Sequence, residues 1–240
     1  MVKVLGHRGM GEGNDENSLL SLIRAVQIGA DGVETDVWLT KDGSLLLAHD
    51  EDLKRLYGVD AKVKEITYKE LKKIGLISDE KLTTLEKLYL ELPNNAIVNV
   101  EIKDPDAAKF VGPLVNSFNA IERTIFSSFH HECLLDVKAN TPDAKIGLLI
   151  GEDAKGKDPV GYLEELLNRY KPYSLHLPVQ LFDEFGLETG LAFLRLLRNN
   201  GIKIALWTIN DPELALKVRQ HCDFFITDNL LSILALKGGR

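Results

Sequence analysis

Two pairs of charged residues, each spaced two apart, carry the first sign of chemistry in this chain: Glu34 and Asp36 in GVETDVWL, and Glu101 and Lys103 in AIVNVEIK. Both runs have the β-branched richness of strands, and on a strand residues two apart share a face. Val33 and Val37 occupy the opposite face of the first run, so the two acids point away from the apolar packing layer. Gathered at about 4 Å with an effective dielectric of about 20, carboxylates repel one another by several kcal/mol, so something positive must sit among Glu34, Asp36 and Glu101. An oxygen-only ligand set suits one hard divalent cation, Mg²⁺ or Ca²⁺, better than zinc. The plainer alternative is that Lys103 neutralises Glu101 and backbone groups satisfy the other two acids. A single E-x-D would favour that alternative; two charged pairs on neighbouring strands favour the cation.

His7 ends the apolar run VKVLGH and His49 ends LLLAHD. A lone histidine at a strand end is more often a hydrogen-bonded structural residue, but two beside an acidic cluster suit general acid–base work near pH 7. Arg8 and Lys103 add fixed positive charge, which implies an anionic substrate, and the planar fork of Arg8 suits phosphate. Trp207, late in IKIALWTI, could stack on an organic group or simply fill the core. His176 ends a strand with no assigned role, and capping or solvent contact is the default for His130 and His131. Glu16 and Asn17 precede the first helix, where Asn17 is expected to cap it.

The elements that would place these residues alternate regularly. Eight runs rich in Val and Ile (VKVLGH, GVETDVWL, AIVNVEIK, TIFSSF, KIGLLI, YSLHLP, IKIALWTI, FFITDN) are separated by helical patterns such as ENSLLSLIRAVQIG, LTTLEKLYLEL and DPVGYLEELLNRY. Thr67 with Glu70 and Thr83 with Glu86 spell capping boxes, Pro212 suits a first helical turn, and Gly29 and Gly201 suit helix ends. Eight units in 240 residues leave about 30 for each strand, helix and two loops. A single (β/α)8 TIM-barrel domain over residues 1–240 is expected, with active-site residues at the C-terminal ends of its strands. An open doubly wound sheet fits less well, because no glycine fingerprint for a dinucleotide follows any strand. The polar, Lys-rich stretch 51–82 breaks the rhythm after the second strand; it is expected to be a rim insertion with too few apolar residues for a core of its own.

Composition narrows the function classes. The hydrophobic share is 45%, enough for a sizeable core, and the net charge of −7 with scattered Lys and Arg argues against nucleic acid. Cys133 and Cys222 are too far apart in sequence for a disulfide framework and are expected to be small buried residues in helices. The first strand is expected to start at Val2, which would leave no room for a leader before it, and no run approaches a membrane span of about 18 residues. A cytoplasmic protein without stable membrane insertion is expected; no feature specifies its oligomeric state.

Taken together, GHRG followed by DENS, then GVETDVWLTKDG, LAHDEDLKR, TTLEKL, VNVEIK, FSSF, LWTIN and FFITDN resemble the glycerophosphodiester phosphodiesterase family over nearly the whole chain. The resemblance implies metal-dependent hydrolysis of small glycerophosphodiesters to glycerol 3-phosphate and an alcohol. It implies His7 and His49 as the acid–base pair, and Arg8 and Lys103 as phosphate-binding residues. Glu34, Asp36 and Glu101 would be the metal ligands, with Trp207 lining the glycerol or head-group pocket. Related enzymes of lysophospholipase D and sphingomyelinase D type share such a site but accept lipids. Where the family usually has Pro before Glu-Asn-Thr, this chain has Asp15-Glu16-Asn17-Ser18, a local change in a loop. A barrel that binds phosphorylated ligands without turnover would keep Arg8 and Lys103 but need neither histidine. A sugar or aldol enzyme would need a Schiff-base lysine or a second histidine set, and neither stands at a convincing spacing.

Overall fold

In the computed structural model, which describes residues 1–151, 154 and 156–238, eight parallel strands close into a barrel. They are β1 (Lys3–Gly6), β2 (Gly32–Leu39), β5 (Ile97–Ile102), β6 (Thr124–Ser128), β7 (Lys145–Leu149), β8 (Ser174–Pro178), β9 (Lys203–Trp207) and β10 (Phe224–Thr227). Each pairs in parallel with the next, and β1 closes the ring by pairing with both β10 and β2. This is the expected TIM barrel. Period-two alternation separates two interiors: Val98, Val100 and Ile102 face the helices, whereas Asn99 and Glu101 face the lumen. At the lumen floor Leu5, Ile125, Ala205, Phe224 and Ile226 form an apolar plug. The acids Glu34, Asp36 and Glu101 gather above it, toward the strands' C-terminal ends.

The surrounding helices bury one stripe each. In α1 (Leu19–Gln27), Leu19, Leu22 and Ala25 meet the sheet, and the hydroxyl of Ser18 caps the helix by accepting from the Ser21 amide at 3.2 Å. Helix α4 (Leu85–Glu91) is capped by Thr84, whose hydroxyl accepts from the Lys87 amide at 3.2 Å, rather than by Thr83; the two threonines form the short strand β4 (Thr83–Thr84). The remaining barrel helices are α5 (Ala108–Ser117), α6 (Cys133–Asn140), α7 (Pro159–Tyr170), α9 (Leu187–Asn199), α10 (Pro212–Val218) and α11 (Leu230–Gly238), with the short α8 (Leu181–Phe185) before α9. Pro212 does open α10, Gly29 and Gly201 follow helix ends with positive φ, and Cys133 is helical. Cys222, also buried, lies in the loop before β10 and not in a helix. Among the described residues, no helix is long and apolar enough to cross a membrane.

The rim insertion is built differently from expectation. Strand β2 outruns β1, so its last residues, Val37 to Leu39, pair antiparallel with β3 (Leu45–Leu47), which pairs in turn with β4. Residues 51–82 carry α2 (Lys54–Tyr57) and α3 (Tyr68–Lys73), the latter opened by the Thr67–Glu70 capping box. Leu53, Val63, Leu71, Leu76 and Leu82 are buried with Leu46 and Ala48 in a cluster separate from the main core. The insertion thus has a small core, completed by residues that β3 and its following turn contribute. Lys64 pins it to the barrel through Asp104 at 3.0 Å and Asp106 at 2.9 Å.

Candidate active site

The β2–β5 register sets Asp36 beside Glu101 and Glu34 beside Asn99, all facing the lumen above the apolar plug. Glu34, Asp36 and Glu101 each offer an oxygen, all within 4.8 Å of one another. Glu34 and Asp36 are buried. Lys103 reaches Glu101 at 2.9 Å and Asp36 at 3.7 Å, and Arg8 Nε lies 3.4 Å from Asp36. Two cations therefore already attend the cluster, as the plainer alternative requires, yet they leave it incomplete. Glu34 accepts the Arg8 amide on Oε2 at 3.0 Å, while its Oε1 is buried without any hydrogen-bond partner. Burial and the Asp36 charge push Glu34 up to about 8, and the same two causes raise Glu101. A buried carboxylate oxygen without a partner, in an all-oxygen cluster that resists full ionisation, fits a hard divalent cation. These residues could hold one.

The loop from His7 to Asn17 shapes this cluster from one side. Two glycines at its start are sterically required: a Cβ on Gly6, the last residue of β1, would lie 2.0 Å from the Gly9 carbonyl oxygen, and one on Gly9, at φ +96°, would lie 2.7 Å from Ser21. Arg8 and Asn17 adopt φ of +50° and +59°, a region costing about 1–2 kcal/mol for non-glycine residues. The Asn17 amide bonds the Arg8 carbonyl at 2.9 Å, so the two strained residues hold each other. Asn17 is not the helix cap. Its side chain turns inward, giving Nδ2–H to Asp36 Oδ2 at 3.0 Å and accepting on Oδ1 from the Thr35 hydroxyl at 2.7 Å and the Asp36 amide at 3.1 Å. Ser18 takes the capping role because the αL turn at Asn17 points that amide at β2. Glu16 is buried too, and accepts from Arg8 Nη1 at 3.2 Å and from Arg55.

Each strand-end histidine has a carboxylate on Nδ1. His7 Nδ1 is 2.6 Å from Asp228, and its Nε2 is 3.9 Å from Glu34. Asp228 is itself held by Asn210 Nδ2 at 2.9 Å and the Glu12 amide at 3.0 Å. His49 Nδ1 is 2.7 Å from Asp50. The hairpin brings His49 over the barrel mouth, fixed by the Ala48 amide on the Asp36 carbonyl and by Trp38 Nε1–H on the His49 carbonyl, each at 3.1 Å. The two rings differ in charge preference. Burial opposes the charge on His7, but the Asp228 hydrogen bond and the Glu34 charge outweigh it and raise the pKa. Burial lowers that of His49 despite Asp36, with Lys103 and Arg8 adding to the effect. Asp228 falls to about 2; burial works the other way, and the His7 and Asn210 bonds prevail. A cleft of about 550 Å³ opens beside His49, lined also by Arg8, Glu12, Asn14, Asp50 and Arg55.

The remaining candidates separate clearly. Trp207 ends β9 partly exposed, packed edge-on against Phe129 with ring centroids 5.7 Å apart. His176 lies buried in the lumen, where its Nε2 meets the Ser174 hydroxyl at 2.9 Å and burial pushes it down to about 3, so it stays neutral. His131 bonds the Leu149 carbonyl at 2.8 Å, a structural contact. Sequence reasoning gave no part to Asp228 or Arg55, counted Asp50 in the LAHD resemblance without a role, and gave only a default one to Glu16 and Asn17. Asp50 adjoins His49 and could have been found by that adjacency. Asp228 lies 221 residues from His7, and only the rule that acids at barrel strand ends serve the site points to it.

Residues 7–232 match the model of the glycerophosphoryl diester phosphodiesterase family. A glycerophosphodiester phosphodiesterase of Caldanaerobacter subterraneus subsp. tengcongensis is 32% identical over 254 aligned positions, covering 98% of each chain. The crystal structure of a glycerophosphodiester phosphodiesterase from Thermotoga maritima is 39% identical, with a TM-score of 0.84 and coverage of 100% of this chain and 99% of that one. A phosphodiesterase from Oleispira antarctica, solved with the product sn-glycerol-3-phosphate, is 25% identical, with a TM-score of 0.80 over 99% of this chain and 97% of that one. With the barrel, the acidic cluster and both mouth histidines in the matched span, the chain belongs to the glycerophosphoryl diester phosphodiesterase family.

Proposed function

We propose that this enzyme hydrolyses small glycerophosphodiesters to glycerol 3-phosphate and an alcohol, with Glu34, Asp36 and Glu101 holding one divalent cation, Mg²⁺ or Ca²⁺. The observation that carries the proposal is the meeting, at one barrel mouth, of that acidic cluster with Arg8, Lys103 and two imidazoles whose Nδ1 atoms are each committed to a carboxylate. When bound, the cation supplies Lewis-acid polarisation of the phosphoryl group and offsets the repulsion among its carboxylates.

The residues divide the remaining work. Arg8 and Lys103 balance the charge of the phosphodiester, and the cleft beside His49 leaves space for the rest of the substrate. With Nδ1 anchored, each ring turns Nε2 to the substrate. The Asp228 hydrogen bond favours the protonated form of His7, whereas burial, Lys103 and Arg8 favour neutral His49, which suits His7 as the donor and His49 as the acceptor. His49 takes the proton of the attacking oxygen, the bond from phosphorus to the alcohol oxygen breaks, and His7 protonates that oxygen as it leaves. Trp207, partly exposed at the end of β9, would line the glycerol or head-group pocket. An analogue lacking the free glycerol hydroxyl separates two nucleophiles: undiminished turnover identifies water, and loss identifies the hydroxyl with a cyclic phosphate to follow. The test of the function is glycerol 3-phosphate release across a panel of head groups. Silence on the whole panel with hydrolysis of intact lysolipids would move the assignment to lipid cleavage of lysophospholipase D type.

A further inference from the structure

Arg55 lies on α2, a four-residue helix of the rim insertion with no buried residue, and its side chain is 48% exposed. It nevertheless joins two parts of the site. Its Nε donates to Asp50 Oδ2, the carboxylate whose other oxygen meets His49 Nδ1, and its Nη2 donates to Glu16 Oε1, the same oxygen that receives Arg8 Nη1. A continuous chain therefore runs from His49 through Asp50, Arg55 and Glu16 to Arg8. Without Arg55, Asp50 keeps only the adjoining imidazole as a side-chain partner among the described residues. Glu16, buried, keeps among the described residues only Arg8 and a 3.3 Å bond from the Gly13 amide.

We propose that Arg55 is a positioning residue that fixes the His49 ring and the Arg8 guanidinium relative to each other, through Asp50 and Glu16. The proposal rests on the phosphodiesterase reading above. A merely structural part is a poor fit, because the insertion has other anchors: its own cluster around Leu53, Val63 and Leu71, and the Lys64 contacts to Asp104 and Asp106. The planar guanidinium fork donates to both carboxylates from separate nitrogens in one fixed geometry; a lysine ammonium, whose donors share one nitrogen on a flexible stem, does not fix the two in the same relative orientation.

The test compares wild type, Arg55→Gln, Arg55→Lys and the exposed insertion control Lys62→Ala in glycerol 3-phosphate release, with melting temperatures for each. Arg55→Gln is expected to lower kcat about 10- to 100-fold and to raise KM, with Arg55→Lys intermediate and Lys62→Ala unchanged. In a His49→Gln background the kcat effect of Arg55→Gln should shrink several-fold, because the branch of the chain through Asp50 then has no ring to hold and only the branch to Arg8 remains. Wild type with no activity on any diester would refute the phosphodiesterase reading. An active wild type with Arg55→Gln within twofold, or a full additional loss in the His49→Gln background, would overturn the proposal itself. Should Arg55→Gln fold poorly, ¹⁵N spectra of the His49 ring in Arg55→Lys decide: a change in the tautomer signal supports the proposal, and an unaltered signal overturns it.

Discussion

The chemistry depends on how single side chains are tethered, and the histidines show this most clearly. Each is held at Nδ1 by a carboxylate, which fixes the ring and leaves Nε2 for the proton transfer proposed above. His7→Ala and His49→Ala are each expected to cost about 10²- to 10⁴-fold in kcat for diester hydrolysis, and near-normal turnover in either would remove that residue from the acid–base pair. The carboxylate and cationic residues themselves stood out in the sequence, because period two on a strand turns spacing directly into a shared face. Their tethers did not. Asn17, one residue before a helix, carries the local signal of a cap, and only the αL turn enforced by the packed glycine loop redirects its amide to Asp36. Asp228 reaches His7 by barrel closure, through the pairing of β1 with β10, which no local pattern encodes.

Among the elements, the eight strands were legible because each is a short β-branched run bounded by turn residues, and the barrel followed from their regular alternation with helices. The insertion was not, because its apolar residues stand singly among lysines and glutamates, and they form a core only once Leu46 and Ala48 are brought beneath them. That core governs how firmly α2, and so Arg55, is presented to the mouth. Leu71 is fully buried in it, and Leu71→Ala should cost about 2–5 kcal/mol locally. Hydrogen exchange checks this: amides of residues 53–76 should exchange much faster while those of β5 to β9 stay protected. Unchanged protection in the insertion would mean that the cluster does not hold it.

Over the whole molecule, fold stability and the acidic cluster are linked. Burial and the charge of Asp36 raise Glu34 from 4.5 to about 8, so the folded, cation-free protein retains a proton that the unfolded chain loses near 4.5. The stability this proton confers is complete below the unfolded value and lost as pH rises through about 8. The cation-free melting temperature should therefore fall between pH 6 and pH 9, and added Mg²⁺ or Ca²⁺ should raise it more at pH 9 than at pH 6, since a cation replaces the proton. Thermal melts at both pH values check this; an equal shift at each would show that no ionising carboxylate binds the ion. Glycerol 3-phosphate release before and after chelation tests the dication at the mouth most directly. Turnover should vanish in EDTA and return when excess Mg²⁺ or Ca²⁺ is added, whereas full turnover in chelator would contradict a metal-dependent site on Glu34, Asp36 and Glu101.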